Sequence, residues 1–293
     1  MLWLICLGLI VTILLVFYQT FLLLEEKCLF FPIKEHTWTP DLPCRDVFFP
    51  SCPNGPYLHG WFISVDSDQI RTPIILFCHG NSGNISYRRY VVDLCHEMKL
   101  SLFLFDYQGY GLSGGRTTLD SLKQDGEAAY NYVRELGYQP EQIIVWGESL
   151  GSIVATHIAS KYPCYRLLLL AAFADLSSLA KSANSLLVKA AYPFILLQGE
   201  SNLARIKSIM TPTLIIHSIE DELIPYSHAK QLFRGIKHPW KSMITIKGCH
   251  GTPQLTPENI EEIMRFCWKK SQLTPRCHEI LSYISSMQVK HGK

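Results

Sequence analysis

A serine between two glycines in the middle of the chain has the setting of a catalytic nucleophile. Ser149 lies in Gly147-Glu-Ser-Leu-Gly151, after the apolar run Ile143–Trp146 and before Ser152–Lys161, which has a helical pattern. In such a G-x-S-x-G elbow, a strained strand-to-helix turn exposes the serine hydroxyl. The two glycines lack the Cβ atoms that would clash where strand and helix converge. The pattern predicts nucleophilic acyl transfer by Ser149.

A serine hydroxyl is a poor nucleophile at neutral pH, so the chain must also supply a base and an acid that orients the base. His250 is the candidate base, because it follows the last predicted strand in the glycine-flanked loop Gly248-Cys-His-Gly251. From that loop its ring can reach Ser149. His79 and His217 lie at strand ends and are interpreted as structural residues.

The candidate acid is Asp221. In proteins with this elbow, an acid and then a histidine follow the serine along the chain. Asp221 meets that order in a loop after a predicted strand, and its neighbours Glu220 and Glu222 are competing candidates. Asp106 also follows a predicted strand, but it precedes Ser149 in the chain. We therefore interpret Asp106 as a structural anchor of its own loop.

The tetrahedral intermediate of acyl transfer carries an oxyanion, and hydrogen-bond donors must be aimed at it in advance. The backbone N–H of Leu150 is one candidate, because it directly follows the nucleophile near a helix N-terminus. The glycine-rich loop Cys78-His-Gly-Asn-Ser-Gly-Asn84 offers the N–H of Asn81 as the second donor. The same loop opens the glycosylation sequon Asn84-Ile-Ser86, which we predict to be unused because a glycan would crowd the site.

Apolar runs of strand length alternate with helical patterns from Pro73 onward. The predicted strands are Ile74–Cys78, Leu102–Phe105, Ile143–Trp146, Arg166–Leu170, Leu214–His217 and Met243–Ile246. The predicted helices are Ser86–Lys99, Leu119–Leu136, Ser152–Lys161, Ser227–Phe233 and Pro257–Lys270. Near-continuous apolar strands separated by helices indicate an α/β fold with a mostly parallel sheet covered on both faces. Upstream, Val47–Phe49 and Leu58–Ile63 predict an antiparallel hairpin at the sheet edge.

Length and composition favour one large α/β domain over a disordered chain. The 293 residues include 48% apolar and 18% charged side chains, and the formal net charge is +2. No dense run of Lys and Arg marks a surface for nucleic acid, so we expect none as a partner. The ten cysteines lack zinc-site spacing, and we predict no metal site. A disulfide between Cys44 and Cys52 stays open, because the sequence does not determine the redox compartment.

The segment Leu2–Leu24 is almost wholly apolar, carries no charged side chain and is long enough for a helix across a bilayer. A cleaved signal peptide is the alternative, but no basic stretch precedes the apolar run and no small-residue cleavage pattern precedes Glu25. We therefore expect a single-pass membrane anchor at residues 1–26, whose orientation the flanking charges leave open. Residues 27–293 should form the globular domain, with 175–212 as a small insertion that either caps the site or packs as connecting helices.

Five motifs in order make the chain similar to the α/β-hydrolase superfamily. They are Cys78–Asn84, Asp106–Gly111, Gly147–Gly151, Asp221–Pro225 and Gly248–His250. Within the superfamily the chain resembles the membrane-anchored serine hydrolases that include the α/β-hydrolase-domain-13 and -17 proteins, and Leu29-Phe-Phe-Pro32 fits that group. The resemblance implies an α/β-hydrolase fold, a triad of Ser149, Asp221 and His250, and no cofactor. Two departures lie outside the triad: Ser218 where glycine is frequent, and Gly251 where asparagine is frequent.

The function expected from these residues is that of a membrane-anchored serine hydrolase. It would cleave carboxylic ester or thioester bonds through an acyl-enzyme on Ser149. Lipid-like substrates or acylated proteins fit an anchored enzyme with an apolar insertion. Two alternatives stay open: an amidase- or peptidase-like serine hydrolase, and a catalytically inactive binding protein of the same fold. The sequence determines neither the acyl group nor the oligomeric state.

Overall fold

The computed structural model describes residues 2–65, 72–182 and 199–268. The strands in these ranges are largely the apolar runs of the sequence. In chain order they are β1 (Phe31–Pro32), β2 (Cys44–Pro50), β3 (Tyr57–Ile63), β4 (Ile74–Cys78), β5 (Ser82–Gly83), β6 (Ser101–Phe105), β7 (Ile143–Glu148), β8 (Arg166–Leu170), β9 (Thr213–Ser218) and β10 (Lys241–Ile246). Every predicted strand is present, with ends that differ from the prediction by three residues or fewer.

An eight-stranded sheet forms the centre of the molecule, in the order β10-β9-β8-β7-β4-β6-β3-β2. β3 pairs antiparallel with β2 and with β6, and the remaining neighbours pair parallel. The predicted mostly parallel sheet with an N-terminal antiparallel hairpin is therefore confirmed. β1 and β5 form a separate two-residue parallel pair.

Helices connect the strands and cover the sheet. Within the described residues they are, in chain order, α1 (Leu2–Leu29), α2 (Arg89–Glu97), α3 (Leu119–Glu135), α4 (Gly151–Lys161), α5 (Leu176–Ser182), α6 (Asn202–Ile206), α7 (Ser227–Gly235) and α8 (Pro257–Cys267). The helix predicted from Ser86 begins only at Arg89. A 3₁₀ turn precedes it, because the Asn84 side chain accepts the N–H of Ser86 and Arg88 has non-helical torsion angles. The helix predicted to reach Lys270 ends at Cys267, because Trp268 is extended.

Side chains of the central strands alternate between two hydrophobic cores, one on each face of the sheet. Along β4, Ile74, Leu76 and Cys78 lie in the core beneath α3, α4 and α7, and Ile75 and Phe77 lie in the core beneath α2 and α8. All five residues are buried. Burial on both faces explains why the sequence of this strand is continuously apolar and does not alternate with polar residues.

Helix α1 takes up the apolar N-terminal segment and continues to Leu29, so the predicted boundary after residue 26 falls inside a helix. Among the residues that the structure describes, no helix combines the length and the apolar character needed to cross a bilayer. The single-pass anchor predicted at residues 1–26 is therefore not supported by the structure.

The insertion predicted at 175–212 is described only in part, because residues 183–198 lie outside the described residues. Its described helix α6 packs on the molecule through Asn202, whose buried amide donates to the Ser152 hydroxyl (2.8 Å) and to the Phe173 carbonyl (2.9 Å). The described part of the insertion therefore packs on the domain, and a cap and connecting helices both stay predictions for the segment as a whole. Elsewhere, Cys44 and Cys52 are both free thiols, so they form no disulfide.

Candidate active site

The turn between β7 and α4 holds Ser149 in a left-handed backbone conformation, with φ of 51°. Such a conformation is strained for a residue other than glycine and persists where the surroundings enforce it. The Ser149 N–H donates to the carbonyl of Leu170 on the neighbouring strand β8 (2.9 Å), which holds the strained residue in place. A Cβ on Gly151 would lie 2.0 Å from the carbonyl oxygen of Cys78, so only glycine fits as α4 crosses the end of β4.

The loop after β10 brings His250 to the serine. Its Nε2 lies 3.0 Å from the Ser149 hydroxyl oxygen, and its Nδ1 lies 2.8 Å from Asp221 Oδ2. Both distances are within hydrogen-bonding range. If Nδ1 carries the proton and donates it to the carboxylate, Nε2 is the acceptor for the serine hydroxyl. The structure therefore brings together the three residues that were predicted as nucleophile, base and acid.

Asp221 is held in a turn after β9 that also stabilises its charge. Its Oδ1 accepts the backbone N–H groups of Leu223 (3.0 Å) and Ile224 (2.7 Å), which leaves Oδ2 directed at His250. Burial opposes ionisation, but the hydrogen bonds from His250 and Ile224 outweigh it and hold the pKa of this carboxyl below its ordinary value. Asp221 is therefore a fixed carboxylate at neutral pH.

The two competing acids contact the backbone of the histidine loop and not the imidazole ring. Glu220 Oε2 accepts the N–H of Gly248 (2.8 Å), and Glu222 Oε2 accepts the N–H of His250 (3.0 Å). Ser218, the departure from the frequent glycine, donates its hydroxyl to the Gly248 carbonyl (2.6 Å). These three side chains fix the loop, and Asp221 alone of this acidic run pairs with the ring.

The predicted oxyanion donors lie on either side of the serine. In the part of the chain that the structure describes, the backbone N–H groups of Asn81 and Leu150 have no hydrogen-bond acceptor. The Asn81 carbonyl accepts the N–H of Phe31 (2.8 Å) and the hydroxyl of Tyr110 (2.7 Å), which fixes this peptide. The loop lies close to the serine, since a Cβ built on Gly80 would come within 3.5 Å of the Ser149 Cβ. Both N–H groups are thus available for a ligand.

A charged network beside the serine escaped the sequence reasoning. Glu148, the residue before Ser149, accepts hydrogen bonds from Arg88 Nε (2.7 Å), from the Tyr90 hydroxyl (2.7 Å) and from the N–H of Gly80 (3.2 Å). Arg88 also donates to the Ser82 carbonyl (3.0 Å). Burial disfavours the Glu148 charge, but Arg88 and Tyr90 hold the pKa of this carboxyl below its ordinary value. A charged residue inside the G-x-S-x-G motif was the available signal.

The residues interpreted as structural have structural partners. His79 Nδ1–H donates to the Gly80 carbonyl (2.7 Å), and burial lowers the pKa of His79 to about 4, so the ring is neutral. His217 Nε2–H donates to the Ile224 carbonyl (2.8 Å). Asp106 Oδ1 accepts the N–H of Ile85 (2.9 Å) and anchors the loop that carries the oxyanion donor. Asn84 is fully buried, which removes it as a glycosylation site.

Comparison with known proteins finds a family model that matches part of the chain and proteins of similar sequence. Residues 70–198 match the family described as serine aminopeptidase, S33. The human α/β hydrolase domain-containing protein 17B is 29% identical over 194 residues, which are 66% of this chain and 65% of that protein. An uncharacterised protein of Mycobacterium tuberculosis is 29% identical over 230 residues, which are 76% of this chain and 78% of that protein.

Two solved structures share the architecture. An esterase of Pyrococcus furiosus superposes with a TM-score of 0.65 at 23% identity, over 80% of this chain and 97% of the esterase. Mouse α/β hydrolase domain-containing protein 10 superposes with a TM-score of 0.59 at 20% identity, over 75% of this chain and 95% of that protein. The strand order, the serine turn and these similarities agree with one another, and the chain has the α/β-hydrolase fold.

Proposed function

We propose that the chain is a serine hydrolase that cleaves carboxylic ester or thioester bonds through an acyl-enzyme on Ser149. The observation that carries the proposal is the continuous path from Ser149 through His250 to Asp221, with contacts of 3.0 and 2.8 Å. The histidine and the aspartate activate the hydroxyl of this serine as a nucleophile. A serine with only a structural role has no need of such activation.

In the proposed reaction the Ser149 hydroxyl oxygen attacks the acyl carbon, and its proton passes to His250 Nε2. Asp221 stabilises the imidazolium that forms. The negative charge on the acyl oxygen is met by the N–H groups of Asn81 and Leu150, which have no acceptor among the described residues. His250 then donates its proton to the leaving alcohol or thiol. Water activated by the same ring hydrolyses the acyl-enzyme and regenerates the serine.

The type of bond is supported by the nature of the similar proteins. The chain superposes on an archaeal esterase, which favours carboxylic esters as substrates. The matched family is named for a serine aminopeptidase, and this favours an amidase or peptidase as the second candidate. Both candidates use the same nucleophile and differ in the leaving group. An inactive binding protein is the least favoured alternative, because it has no need of a strained serine paired with a histidine and an acid.

A serine-directed fluorophosphonate probe tests the nucleophile. We expect the full chain to be labelled, and we expect the labelling to be lost in Ser149→Ala and strongly reduced in His250→Ala. Ser160→Ala, at the exposed far end of the same helix α4, is the matched control and should be labelled like the native protein. Labelling of Ser149→Ala at the native rate would overturn the assignment.

The bond type is tested by comparing leaving groups at a constant acyl chain. We expect kcat/KM for p-nitrophenyl esters and acyl thioesters to exceed that for the matching anilides. A graded series of acyl lengths then gives the preference for lipid-like substrates. Preference for the anilide would support the amidase alternative instead.

We further propose that α1 associates with lipid. Its described side chains include many exposed apolar ones, among them Trp3, Leu9, Ile13 and Val16. Such a surface is costly in water and favourable against acyl chains. In a flotation gradient with phosphatidylcholine vesicles, the full chain should rise with the lipid. A chain lacking residues 2–24 should stay at the bottom of the gradient, without lipid. Equal flotation of the two chains would contradict the proposal.

A further inference from the structure

Four side chains that the proposed reaction does not use meet beneath the oxyanion loop. His36 follows β1, His59 lies on β3, His79 directly follows β4 and Asp106 directly follows β6. His36 Nε2 and His59 Nδ1 lie 3.7 and 3.9 Å from Asp106 Oδ2, and His79 Nε2 lies 3.6 Å from Asp106 Oδ1. His59, His79 and Asp106 are fully buried, and the His36 side chain is 15% exposed.

The outer hydrogen bonds of two imidazoles determine which nitrogen faces the cluster. His59 Nε2 lies 2.9 Å from Asp46 Oδ1, so in the neutral ring Nε2–H donates to that carboxylate and Nδ1 presents a lone pair. His79 Nδ1–H donates to the Gly80 carbonyl, so its Nε2 also presents a lone pair. Both lone pairs face Asp106, which is itself an acceptor.

In the neutral rings, the facing nitrogens of His59 and His79 are therefore acceptors, as Asp106 is. Within the described residues, His36 Nε2, His59 Nδ1, His79 Nε2 and Asp106 Oδ2 are buried atoms that have no hydrogen-bond partner. Buried polar atoms are nearly always satisfied, and a group of four that converge on one another requires an explanation. A cation bound among them would satisfy the lone pairs and the carboxylate charge together.

We propose that His36, His59 and Asp106 bind a divalent first-row transition-metal ion, with Zn²⁺ as the preferred ion. The ligand atoms Nε2, Nδ1 and Oδ2 all lie within 4.8 Å of one another. Tetrahedral Zn²⁺ with bonds of about 2.0–2.1 Å places its ligands about 3.3 Å apart. The two imidazole–carboxylate distances of 3.7 and 3.9 Å must therefore shorten by about half an ångström, and the two imidazole nitrogens, which lie within 4.8 Å, must approach by up to about 1.5 Å. Two imidazoles and a carboxylate are a donor set that Zn²⁺ and its neighbours favour over Mg²⁺ or Ca²⁺.

Two further features fit a metal site. The contact between His59 and Asp46 is the carboxylate–histidine pair that typically orients a metal-bound imidazole. His36, the partly exposed member, provides the side from which an ion can enter. The ion would have a structural role, because Asp106 also accepts the N–H of Ile85 and so holds the loop that carries Asn81. This inference is independent of the proposed reaction.

The test is metal binding by the tag-free full chain after treatment with EDTA. We expect Zn²⁺ to bind at about one equivalent and to raise the melting temperature, and Co²⁺ to give the visible bands of a tetrahedral nitrogen–oxygen site. His36→Gln and His59→Gln should no longer bind the equivalent of Zn²⁺ and should no longer show the visible bands of Co²⁺. Asp46→Asn, which keeps all three ligands, should weaken binding about 10- to 100-fold. His96→Gln, on the exposed face of α2, is the matched control and should bind like the native chain.

The proposal is overturned if the native chain binds no equivalent of either ion, or if His36→Gln binds as the native chain does. Cooperative melting of each variant is measured alongside, since His59 is fully buried and its replacement can impair folding. His36→Gln then decides the question, because the His36 side chain is partly exposed and its Nε2 has no hydrogen-bond partner among the described residues.

Discussion

Glu148 accepts a hydrogen bond from the backbone N–H of Gly80, with 3.2 Å between the nitrogen and Oε2. The residue before the nucleophile is thereby joined to the loop that carries the second oxyanion donor. Arg88 completes the link, since it pairs with Glu148 and donates to the Ser82 carbonyl of the same loop. The spacing between Ser149 and the N–H of Asn81 therefore depends on a side chain that touches neither substrate nor base.

We predict that Glu148→Gln lowers kcat for ester hydrolysis about 10- to 100-fold, less than the direct loss of an oxyanion donor, with a smaller change in KM. The glutamine oxygen can still accept from Gly80, but Arg88 loses its buried partner, and the free energy of unfolding should fall by about 3 kcal/mol. Steady-state kinetics and urea unfolding measure the two effects. Glu127→Gln is the control: it removes an acid on α3 that pairs with Lys161 at the end of α4, and it should leave kcat unchanged. A native kcat in Glu148→Gln would contradict the positioning role.

Substitution of Asp221 should have a much larger effect on activity than substitution of the neighbouring acids. Asp221→Asn places an amide against His250 Nδ1 and disfavours the required tautomer, so kcat should fall about 10³- to 10⁴-fold. Glu222→Gln keeps an acceptor for the His250 N–H at an exposed position, and its effect should not exceed about fivefold. The two variants are compared by burst and steady-state rates with one ester. Equal losses would show that the acidic run acts through the loop and not through the ring.

The elbow should not tolerate a methyl group at Gly151. Because a Cβ there would lie 2.0 Å from the Cys78 carbonyl oxygen, Gly151→Ala must push β4 and α4 apart and should cost about 3 kcal/mol of stability together with the activity. Gly251→Ala is the matched control, since a Cβ beside His250 meets nothing within 4 Å. Thermal unfolding and probe labelling distinguish the two variants. An active, stable Gly151→Ala chain would refute the close approach.

A buried acid on α3 should make stability depend on pH. Asp125 is fully buried, and burial raises its pKa from 3.8 to about 7, although Gln108 donates two hydrogen bonds to it. Because the folded state holds this proton more tightly than the unfolded state, the contribution of Asp125 to stability is fully present below pH 3.8 and is lost as the pH rises through about 7. The loss is on the order of a few kcal/mol.

Asp125→Asn should remove this dependence and be more stable than the native chain at pH 8, once the Gln108 amide turns to match it. Urea midpoints at pH 5.5 and pH 8 give the measurement. Asp120→Asn on the same helix, an exposed acid, should keep the native slope. Identical slopes in the native chain and in Asp125→Asn would show that Asp125 ionises freely in the folded state.

The residues of the site that lie at strand ends could be predicted from the sequence. Ser149, Asp221 and His250 each follow an apolar run, and the carboxyl ends of parallel strands meet at one edge of a sheet. Local patterns determine such placements, because burial on both faces makes these strands continuously apolar. Order along the chain then separated Asp221 from Asp106.

Contacts between residues that are far apart in the chain could not be predicted, because no local sequence pattern indicates them. Arg88 and Glu148 are sixty residues apart, and nothing periodic links them. The same holds for His36 and Asp106, which meet only once β3, β4 and β6 are aligned. The late start of α2 also depended on tertiary structure, since the Asn84 amide that shapes the preceding turn is fixed by the carbonyls of Ile33 and Glu35.

The junction between α1 and the globular domain has a mechanical consequence. α1 ends at Leu29, and two residues later the N–H of Phe31 donates to the carbonyl of Asn81. β1 then pairs with β5 in the same loop, so the junction contains no flexible linker. A tilt of α1 would therefore act on the hydrogen bond between Phe31 and the Asn81 carbonyl, in the same peptide segment as the candidate oxyanion donor. Attachment of α1 to a surface would thus set the angle at which the reaction centre faces that surface.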